Sequence, residues 1–430
     1  MKTIKLPFGK ETMMVELPEE RIAGILESAA HDYHTAESET DIVRRAVEHP
    51  IHSKPLRELV KGKQNIVLIA SDHTRPVPSK IIMPVIMEEI KKGNKEAVIT
   101  ILIATGFHRP TTREELIYKF GEDIVNRKDI KFCIHKGNEE AEMVNLGTLP
   151  SGGELNINQV AANADLLLAE GFIEPHFFAG YSGGRKSVLP GVSSAVTVMA
   201  NHCSEFIDSA YARTGILDGN PIHKDMIYAA ETAKLAFIVN VVLDGNKKVI
   251  KAYAGHFDHA HREGCKFAEQ LFGVDEILSD IVISTNGGYP LDQNVYQSVK
   301  GMTAAEATCK PGGVIIMVTS CVDGHGGQSL YDTFSKEKSK EKIMNQFLTT
   351  GRNETIPDQW EAQILCRILL NYKVIMVTQA PKQMIEEMQM SYANDVTQAI
   401  KMADEYLGNK TSKITVIPDG VSVIVKKQRG

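Results

Sequence analysis

The sequence lacks the features of a membrane, secreted or nucleic-acid-binding protein. Its longest apolar run, at residues 97–104, is far shorter than the ~20 residues that a membrane-spanning helix needs. The first ten residues, MKTIKLPFGK, have no apolar core like that of a signal peptide. The formal net charge is −6 over 430 residues, which argues against a basic surface for nucleic acid. We therefore expect no membrane and no nucleic-acid partner.

Cysteine and tryptophan are also scarce. The six cysteines form no C-x-x-C pair, and their spacing indicates neither a zinc site nor a disulfide framework. This pattern predicts a reducing, cytoplasmic location. The only tryptophan, Trp360, lies in a polar segment, although a lone tryptophan usually fills a core. The hydrophobic fraction of 43% and the charged fraction of 24% exclude a disordered, fibrous or coiled-coil chain.

What the sequence does contain is a series of short apolar runs, each followed by a polar loop. The runs at residues 65–70, 97–104 and 164–169 are typical of parallel strands that are covered on both faces. In open α/β sheets, ligands bind beyond the carboxyl ends of such strands. A second pattern of strand, Gly-rich loop and helix begins near residue 280. The sequence therefore predicts an α/β protein with two domains of mainly parallel sheet and an active site in the cleft between them.

The change of pattern gives the domain boundaries. At about 150 residues per domain, the length suggests two or three domains. We predict an N-terminal α/β domain over residues 1–272 and a C-terminal α/β domain over residues 273–412. The last segment, residues 413–430, contains two apolar runs around Pro418, Asp419 and Gly420. We expect these runs to be strands that pack back on the N-terminal domain.

A glycine-rich loop, GYSGGRKS at residues 180–187, is similar to a phosphate-binding P-loop. The P-loop pattern requires glycine where this chain has Arg185, and Pro190 follows too soon for a helix to start there. These two departures argue against a Walker-type nucleotide triphosphatase. Backbone N–H groups at Gly183 and Gly184 could still form an anion-binding nest, with positive charge from Arg185 and Lys186. The alternative is an ordinary basic surface turn.

Other polar loops carry candidate acid, base and anion-binding groups. The loop DHTRP at residues 72–76 combines an acid, a hydroxyl group and an arginine, which can hold a ribose and an anion together. His108 lies between a strand and a helix, where Thr111 or Thr112 begins a capping box with Glu114 or Glu115. His176 lies beside Phe177 and Phe178, so we expect a dry setting that keeps its imidazole neutral. Each histidine could instead form only structural hydrogen bonds.

Three further groups have both a functional and a structural interpretation. His202 follows a predicted helix and could bind a metal. His256, Asp258, His259 and His261 also have a metal-like spacing, although they lie in a charged helix start. Tyr296 and Lys300 are four residues apart on a predicted helix, and this pair could clamp a small carboxylate or simply pack together.

Together, these motifs resemble the lactate racemase family. The resemblance runs from about residue 65 to residue 360 and rests on the order and spacing of DHTRP (72–76), GFHRP (106–110), PHFFAGYSGGRKSVLPG (175–191), NHC (201–203), YQSVKG (296–301) and Trp360. It implies a nickel-pincer nucleotide cofactor, which is a pyridinium mononucleotide that binds Ni²⁺ through S, C and S. The cofactor would be attached covalently to Lys186, with His202 as the fourth nickel ligand.

The resemblance also implies roles for the other residues. Those expected to hold the nucleotide are Asp72, His73, Thr74, Arg75, Gly183 and Gly184. His108 and His176 would be the two acid/base residues. The substrate would bind to Arg75, Tyr296, Gln297, Lys300 and Trp360. Partners would be a 2-hydroxy acid and the proteins that make the cofactor.

The expected activity is racemisation of a small 2-hydroxy acid, lactate above all. Removing the α-hydrogen as a proton would leave a carbanion beside a carboxylate, whereas removing it as hydride gives a neutral ketone. Because the two enantiomers present their hydroxyl groups in different directions, two bases are needed. Two alternatives remain: a racemase or epimerase of malate, an aromatic hydroxy acid or a sugar acid, and a non-catalytic protein that binds a nucleotide or an anion.

Overall fold

The computed structural model describes residues 1–30, 32–106 and 108–427. Phe107, in the GFHRP motif, and the last three residues of the predicted segment 413–430 lie outside the described residues. The chain divides into two compact units. Unit 1 comprises Met1–Ser28, Cys203–Asp208 and Phe272–Gly430, and unit 2 comprises Ala29–His202 and Ser209–Leu271.

The strands are numbered in chain order. They are β1 (Lys2–Phe8), β2 (Glu11–Leu17), β3 (Ile22–Ile25), β4 (Asn65–Ser71), β5 (Val98–Ala104), β6 (Ile130–Ile134), β7 (Met143–Thr148), β8 (Glu154–Asn158), β9 (Leu166–Phe172), β10 (Pro175–His176), β11 (Gly180–Tyr181), β12 (Leu235–Leu243), β13 (Val249–Gly255), β14 (Gly273–Asp275), β15 (Ser279–Ser284), β16 (Cys309–Val318), β17 (Lys373–Val377), β18 (Ser391–Ala393), β19 (Ile414–Ile417) and β20 (Ile424–Lys426).

The helices are numbered in the same way. They are α1 (Glu39–Glu48), α2 (Leu56–Leu59), α3 (Ser79–Gly93), α4 (Arg113–Phe120), α5 (Glu122–Val125), α6 (Gln159–Ala162), α7 (Ala195–Asn201), α8 (Ser204–Asp208), α9 (Pro221–Thr232), α10 (His259–Phe272), α11 (Val295–Glu306), α12 (Gln328–Lys336), α13 (Lys340–Thr349), α14 (Gln359–Asn371), α15 (Lys382–Glu387) and α16 (Val396–Leu407). Within the part of the chain that the structure describes, no helix is long and apolar enough to cross a membrane.

Unit 2 is built on a six-stranded sheet in the order β13-β12-β9-β4-β5-β6. Every pair in it is parallel except β12 with β13, which form an antiparallel pair. The central strands β4 and β9 are apolar and buried along most of their length, because α1 and α3 supply part of the core that covers this sheet. The α/β fold with mainly parallel sheet that the sequence predicts is confirmed.

Unit 1 contains a second six-stranded sheet, in the order β18-β17-β16-β15-β19-β3, with every pair parallel. Its core combines the apolar faces of β15, β16, β17 and β19 with the buried face of the β1–β2 hairpin. The strands predicted at residues 280–284, 313–319 and 374–378 correspond to β15, β16 and β17.

The two ends of the chain are placed differently from the predicted domain division. Met1–Ser28 groups with unit 1 rather than with the first domain of residues 1–272, because β3 pairs with β19 at the edge of the unit 1 sheet. The two strands expected within residues 413–430 are present, and they also belong to unit 1. There, β19 pairs with β15 and β20 pairs with β14. Only the change of unit near residue 272 agrees with the predicted division.

Candidate active site

Three loops of unit 2 begin at the carboxyl ends of adjacent parallel strands. These strands are β4, β5 and β9, and chain order reverses at β4, because β5 lies on one side of it and β9 on the other. Ligands bind to open α/β sheets at such a switch point. The loops themselves are joined, since the Gly106 amide donates a hydrogen bond to the Gly191 carbonyl at 3.3 Å. The loop sequences DHTRP, GFHRP and PHFFAGYSGGRK therefore occupy the expected position for a site.

The first functional group in this position is a buried acid paired with a histidine. Asp72 is 1% exposed, and its Oδ2 lies 2.6 Å from Nδ1 of His108. The other carboxylate oxygen accepts hydrogen bonds from the Thr74 amide at 3.1 Å and the Thr74 hydroxyl at 2.7 Å. Burial favours a raised pKa for Asp72, but these hydrogen bonds and the charges of His108 and Arg75 outweigh it and lower the pKa. Asp72 is therefore an anion.

This pairing determines how His108 can act. With Nδ1 directed at a carboxylate, a neutral imidazole carries its proton on Nδ1 and keeps Nε2 as the acceptor. The carboxylate also stabilises the imidazolium that forms when Nε2 takes a proton. The His108 side chain is 42% exposed, so Nε2 can be reached by a small molecule. Asp72 and His108 thus form a carboxylate–imidazole pair of the kind that can accept and release a proton.

The backbone of the first loop is held by hydrogen bonds from a lysine of α4. Lys119, at the end of α4, is buried and donates hydrogen bonds to the carbonyl groups of Arg75 at 3.1 Å and Val77 at 3.4 Å. Burial lowers the pKa of Lys119. The Arg75 side chain is exposed. His73 is turned toward α4, where its Nδ1 lies 3.1 Å from the Thr111 hydroxyl.

The helix beyond this loop begins with one of the predicted capping pairs. The Thr112 hydroxyl accepts from the Glu115 amide at 3.3 Å, and the Thr112 amide donates to the Glu115 carboxylate at 2.8 Å. This capping box fixes the start of α4. The helix in turn positions Lys119 under the first loop.

The second functional group surrounds the ring of Phe178. The His176 ring stacks edge-on against it at 4.6 Å between centroids, and the His202 ring does so at 5.1 Å. The ammonium group of Lys186 lies 5.8 Å from the Phe178 centroid and 3.4 Å from Nε2 of His176. The ring of Phe178 therefore lies beside all three residues. The sequence predicts Lys186 as the attachment point of the cofactor, His176 as a base and His202 as the metal ligand.

His202 is in the protonation state that binds metals. It ends α7 and is 4% exposed. Burial, with a further contribution from the charge of Lys186, lowers the pKa of His202 to about 3. Its imidazole is therefore neutral at physiological pH, which is the form that ligates a metal ion.

The two glycines of the loop are required by its backbone conformation. Gly183 and Gly184 have φ values of +77° and +53°, which favour glycine. The Gly184 amide donates to Asn240 Oδ1 at 2.7 Å, so this amide is already used and cannot also bind an anion. A Cβ at Gly184 would lie 2.6 Å from the His261 ring.

Arg185 is not a surface charge, which corrects the expectation that it adds charge to the loop. It is fully buried, and its guanidinium donates at 2.7 Å to the carbonyl groups of both Ala179 and Tyr181. It also donates to Nδ1 of His223 at 3.0 Å, and Nε2 of His261 lies 3.2 Å away. Burial lowers the pKa of Arg185 to about 10. The residue holds the loop that presents Lys186, and no local sequence signal distinguishes this role.

The remaining predicted residues lie in unit 1, on α11 and at the start of α14. Lys300 donates to Gln297 Oε1 at 2.6 Å. The Tyr296 hydroxyl is hydrogen-bonded to Asp358 and to the indole of Trp360. The pKa of Tyr296 is raised, first by burial and then by the nearby carboxylates. Trp360 is 8% exposed, and its indole N–H is used to fix the Tyr296 ring.

Asp358 has an unusual conformation for a residue that begins a helix. Its φ is +67°, in the left-handed region, and its side chain does not cap α14. The carboxylate accepts from Tyr296 instead. Left-handed conformations of non-glycine residues cost about 1–3 kcal/mol and are retained where the surroundings require them. Here the left-handed conformation accompanies the hydrogen bond from Tyr296 to the Asp358 carboxylate.

The second metal-like group in the sequence has no such geometry. Among the described residues, no cluster of three or more His, Cys, Asp or Glu side chains could hold a metal ion. His261 instead lies in the interior, with Nε2 at 2.8 Å from the Ser182 carbonyl. His259 stacks on His52 at 4.2 Å. The spacing of His256, Asp258, His259 and His261 reflects packing.

Known proteins are similar to this chain along its whole length. The family models for the lactate racemase N-terminal and C-terminal domains match residues 8–215 and 274–425, respectively. A lactate racemase from Thermoanaerobacterium thermosaccharolyticum is 56% identical over 429 residues and covers 100% of both chains. One from Lactiplantibacillus plantarum is 53% identical over 427 residues, covering 99% of this chain and 100% of its own.

A solved structure agrees with the fold. The lactate racemase apoprotein from T. thermosaccharolyticum superimposes with a TM-score of 0.95 at 56% identity, covering 99% of this chain and 100% of that one. The similarity extends through both units rather than through one of them.

Proposed function

The chain belongs to the lactate racemase family, and we propose that it interconverts D- and L-lactate by hydride transfer to and from a nickel-pincer nucleotide. It is accordingly an isomerase of the racemase class. The observation that carries the mechanism is the position of two groups at the ends of β4, β5 and β9. These are the Asp72–His108 pair and the cluster of His176, Lys186 and His202 around Phe178.

The residues of this cluster fit the cofactor. Lys186 offers a primary amine near His202, whose buried imidazole is neutral and could therefore ligate Ni(II). Lys186 would hold the nucleotide covalently and His202 would bind the nickel. When bound, the cofactor supplies an electron-poor acceptor for the α-hydride of the substrate. Asp72, His73, Thr74 and Arg75 would line the nucleotide, together with Gly183.

Within this site, His108 removes the proton of the substrate hydroxyl group. Nε2 is the accepting atom, because Nδ1 is engaged by Asp72 at 2.6 Å. The negative charge of Asp72 offsets the positive charge that develops on the ring. Once the hydroxyl oxygen loses its proton, loss of the α-hydrogen as hydride yields a planar 2-oxo acid without a carbanion.

His176 performs the same task for the other enantiomer. The Ala179 amide lies 3.3 Å from its Nδ1, and the phenylalanine rings beside it restrict its orientation. After the planar intermediate rotates, a protonated His176 donates its own proton to the oxygen, while the proton removed earlier stays on His108. Two bases at different positions therefore allow the reaction to run in both directions.

Unit 1 supplies the groups that hold the carboxylate. Lys300 and Gln297 are hydrogen-bonded side by side on α11, so an ammonium and an amide are presented together to one anion. We assign a second cationic contact to Arg75 and the pocket wall to Tyr296 and Trp360. Retaining the 2-oxo acid by its carboxylate would prevent its escape between the two hydride transfers.

The test is a chiral assay on protein made in a host that also makes the cofactor. The loaded protein should convert either enantiomer of lactate to the same racemic mixture. We expect His108→Ala and His176→Ala each to abolish this conversion while a mass increment on Lys186 remains. Near-normal racemisation by either variant would overturn the two-base mechanism.

The same preparation tests the choice of substrate. A panel of lactate, malate, an aromatic hydroxy acid and a sugar acid should give its highest kcat/KM with lactate. A higher kcat/KM for another acid of the panel would change the proposed substrate and leave the proposed residue roles unchanged. Apoprotein from a host without the cofactor-producing proteins is the matched inactive control.

A further inference from the structure

A buried acid, Glu361, lies among the unit 1 residues that bind the substrate in the proposed function. It follows Trp360 in the first turn of α14, which packs against α11. The side chain is 1% exposed, and within the described residues its Oε1 has no hydrogen-bond partner. A buried carboxyl oxygen without a partner is unfavourable, because it has lost its hydrogen bonds to water and gained none in return. Such a cost calls for a functional explanation.

The charges that act on Glu361 come from the same cluster. Lys300 on α11 and Asp358 at the start of α14 both act on it, and Tyr296 in turn senses its charge. Charged groups on the other elements packed against α14 have partners of their own: Glu205 with Arg352, Lys336 with Asp332, Lys310 with Asp280, and Lys340 with the Leu369 carbonyl. Besides burial, the charges that act on Glu361 are therefore those of Lys300 and Asp358.

The balance among these groups favours the neutral acid. Burial raises the pKa of Glu361, and the charge of Lys300 only partly opposes it, while Asp358 raises it further. Were Glu361 ionised, it would neutralise Lys300 and repel an incoming carboxylate. As the neutral acid, it leaves the charge of Lys300 to be shared with an anion that binds from outside.

We propose that Glu361 is a positioning residue for the substrate carboxylate and acts through Lys300. It lies on α14, which packs against the helix that carries Lys300, and as the neutral acid it leaves the positive charge of Lys300 directed at the substrate rather than at the protein. The proposal rests on the proposed function, because it takes Lys300 as the group that binds the carboxylate of the 2-hydroxy acid. Glu361 itself touches neither the reacting carbon nor the hydroxyl group.

The test measures KM and kcat for lactate across pH 6.5 to 9.5 in the loaded enzyme. We expect the wild-type KM to rise about tenfold at the alkaline end as Glu361 ionises, because losing one charge contact costs about 1.4 kcal/mol. Glu361→Gln is permanently neutral and similar in shape. It should match the wild-type KM near pH 7 and lose the alkaline rise, with kcat following its wild-type pH profile.

A matched control separates this role from simple packing. Glu306, also on α11, pairs with Arg367 of α14 at 2.8 Å, so Glu306→Gln weakens the same helix contact without acting on Glu361. It should lower the melting temperature and leave the alkaline rise in KM intact. If Glu361→Gln also keeps that rise, or if it lowers kcat and the melting temperature with KM unchanged, Glu361 is a structural residue and the proposal fails.

Binding distinguishes this proposal from the proposed function. Calorimetric titration of oxamate, a non-reacting 2-oxo acid analogue, into the holoenzyme should show the same alkaline loss of affinity, abolished in Glu361→Gln. If lactate is not racemised but this binding pattern holds, the proposed function fails and the role of Glu361 stands. If lactate is racemised and the binding pattern is absent, the role of Glu361 fails alone.

Discussion

At the scale of single residues, the site depends on side chains whose partners are fixed by burial. Asp72 is an anion with both oxygens in hydrogen bonds, and one of those bonds orients His108. His202 is neutral because the interior cannot solvate its charge. The chemistry thus comes from the surroundings of each residue as much as from its type.

Asp72→Asn tests the acid/base pair. The amide cannot offset the charge on the imidazolium and favours the wrong tautomer of His108, so kcat should fall about a hundredfold or more. Asp129→Asn is the control, because Asp129 pairs with Arg127 at 2.7 Å on the surface and should leave kcat unchanged. Chiral assays of both loaded variants check this, and a kcat for Asp72→Asn within twofold of wild type would contradict it.

Gly184→Ala tests the shape of the loop that carries Lys186. Both its φ of +53° and the 2.6 Å approach to His261 oppose a side chain, so the free energy of unfolding should drop by about 2–4 kcal/mol. Gly152→Ala, at φ +94° with nothing within 4 Å, should cost only about 1–2 kcal/mol. Urea denaturation of both variants measures the difference. Equal losses would show that packing against His261 contributes nothing.

At the scale of elements, the strands were predictable where they are long and apolar. The runs that became β4, β5 and β9 are continuous and buried on both faces, which is a local signal. β3 was not predictable, because its four residues are partly exposed and its pairing partner β19 lies almost 400 residues away. Pairing over such a distance leaves no trace in local sequence.

Deleting residues 1–28 tests the placement of the first strands. The deletion removes Ile4, Leu6, Val15 and Leu17 from the unit 1 core, and each such side chain contributes about 1.5–3 kcal/mol. Because domains are stable by only about 5–15 kcal/mol, hydrogen exchange should accelerate throughout β15 and β19. Exchange in β4 and β5 should stay slow. Unchanged protection of β19 would contradict the assignment of these strands to unit 1.

At the scale of the whole molecule, the histidines are distributed unequally between the two units. Of the described histidines, only His325 lies in unit 1. Besides His202, unit 2 keeps three further buried histidines neutral: burial lowers the pKa of His135 to about 4, that of His223 to about 2, and that of His261 well below its ordinary value. The loss of stability that these histidines cause in acid should therefore be confined to unit 2.

Acid should destabilise unit 2 before unit 1. Below pH 6.5 the unfolded chain protonates these histidines and the folded chain does not, so stability falls as pH falls toward their folded pKa values. Each of these histidines should lower the free energy of unfolding by about 2 kcal/mol at pH 5. Hydrogen exchange at pH 7 and pH 5 should show faster opening of β4, β5 and β9 at the lower pH, with β15 and β16 less affected. Equal acceleration in both units would contradict this.

Much of the site could be predicted from the loops and the family resemblance, and its supporting residues could not. Asp72, His108, His176, Lys186 and His202 stand in motifs whose order is informative. Arg185 is an ordinary basic residue in sequence and becomes an internal brace only when folded. Phe178 and Glu361 likewise acquire their roles from neighbours that are distant in the chain.

The central claim is that the α-hydrogen moves as hydride and never exchanges with water. Lactate deuterated at the α-carbon, racemised by the loaded enzyme in ordinary water, tests it most directly. Mass spectrometry of the separated enantiomers should find deuterium retained in the product of opposite configuration. Product that instead carries a solvent hydrogen at that carbon would show proton abstraction and contradict the account.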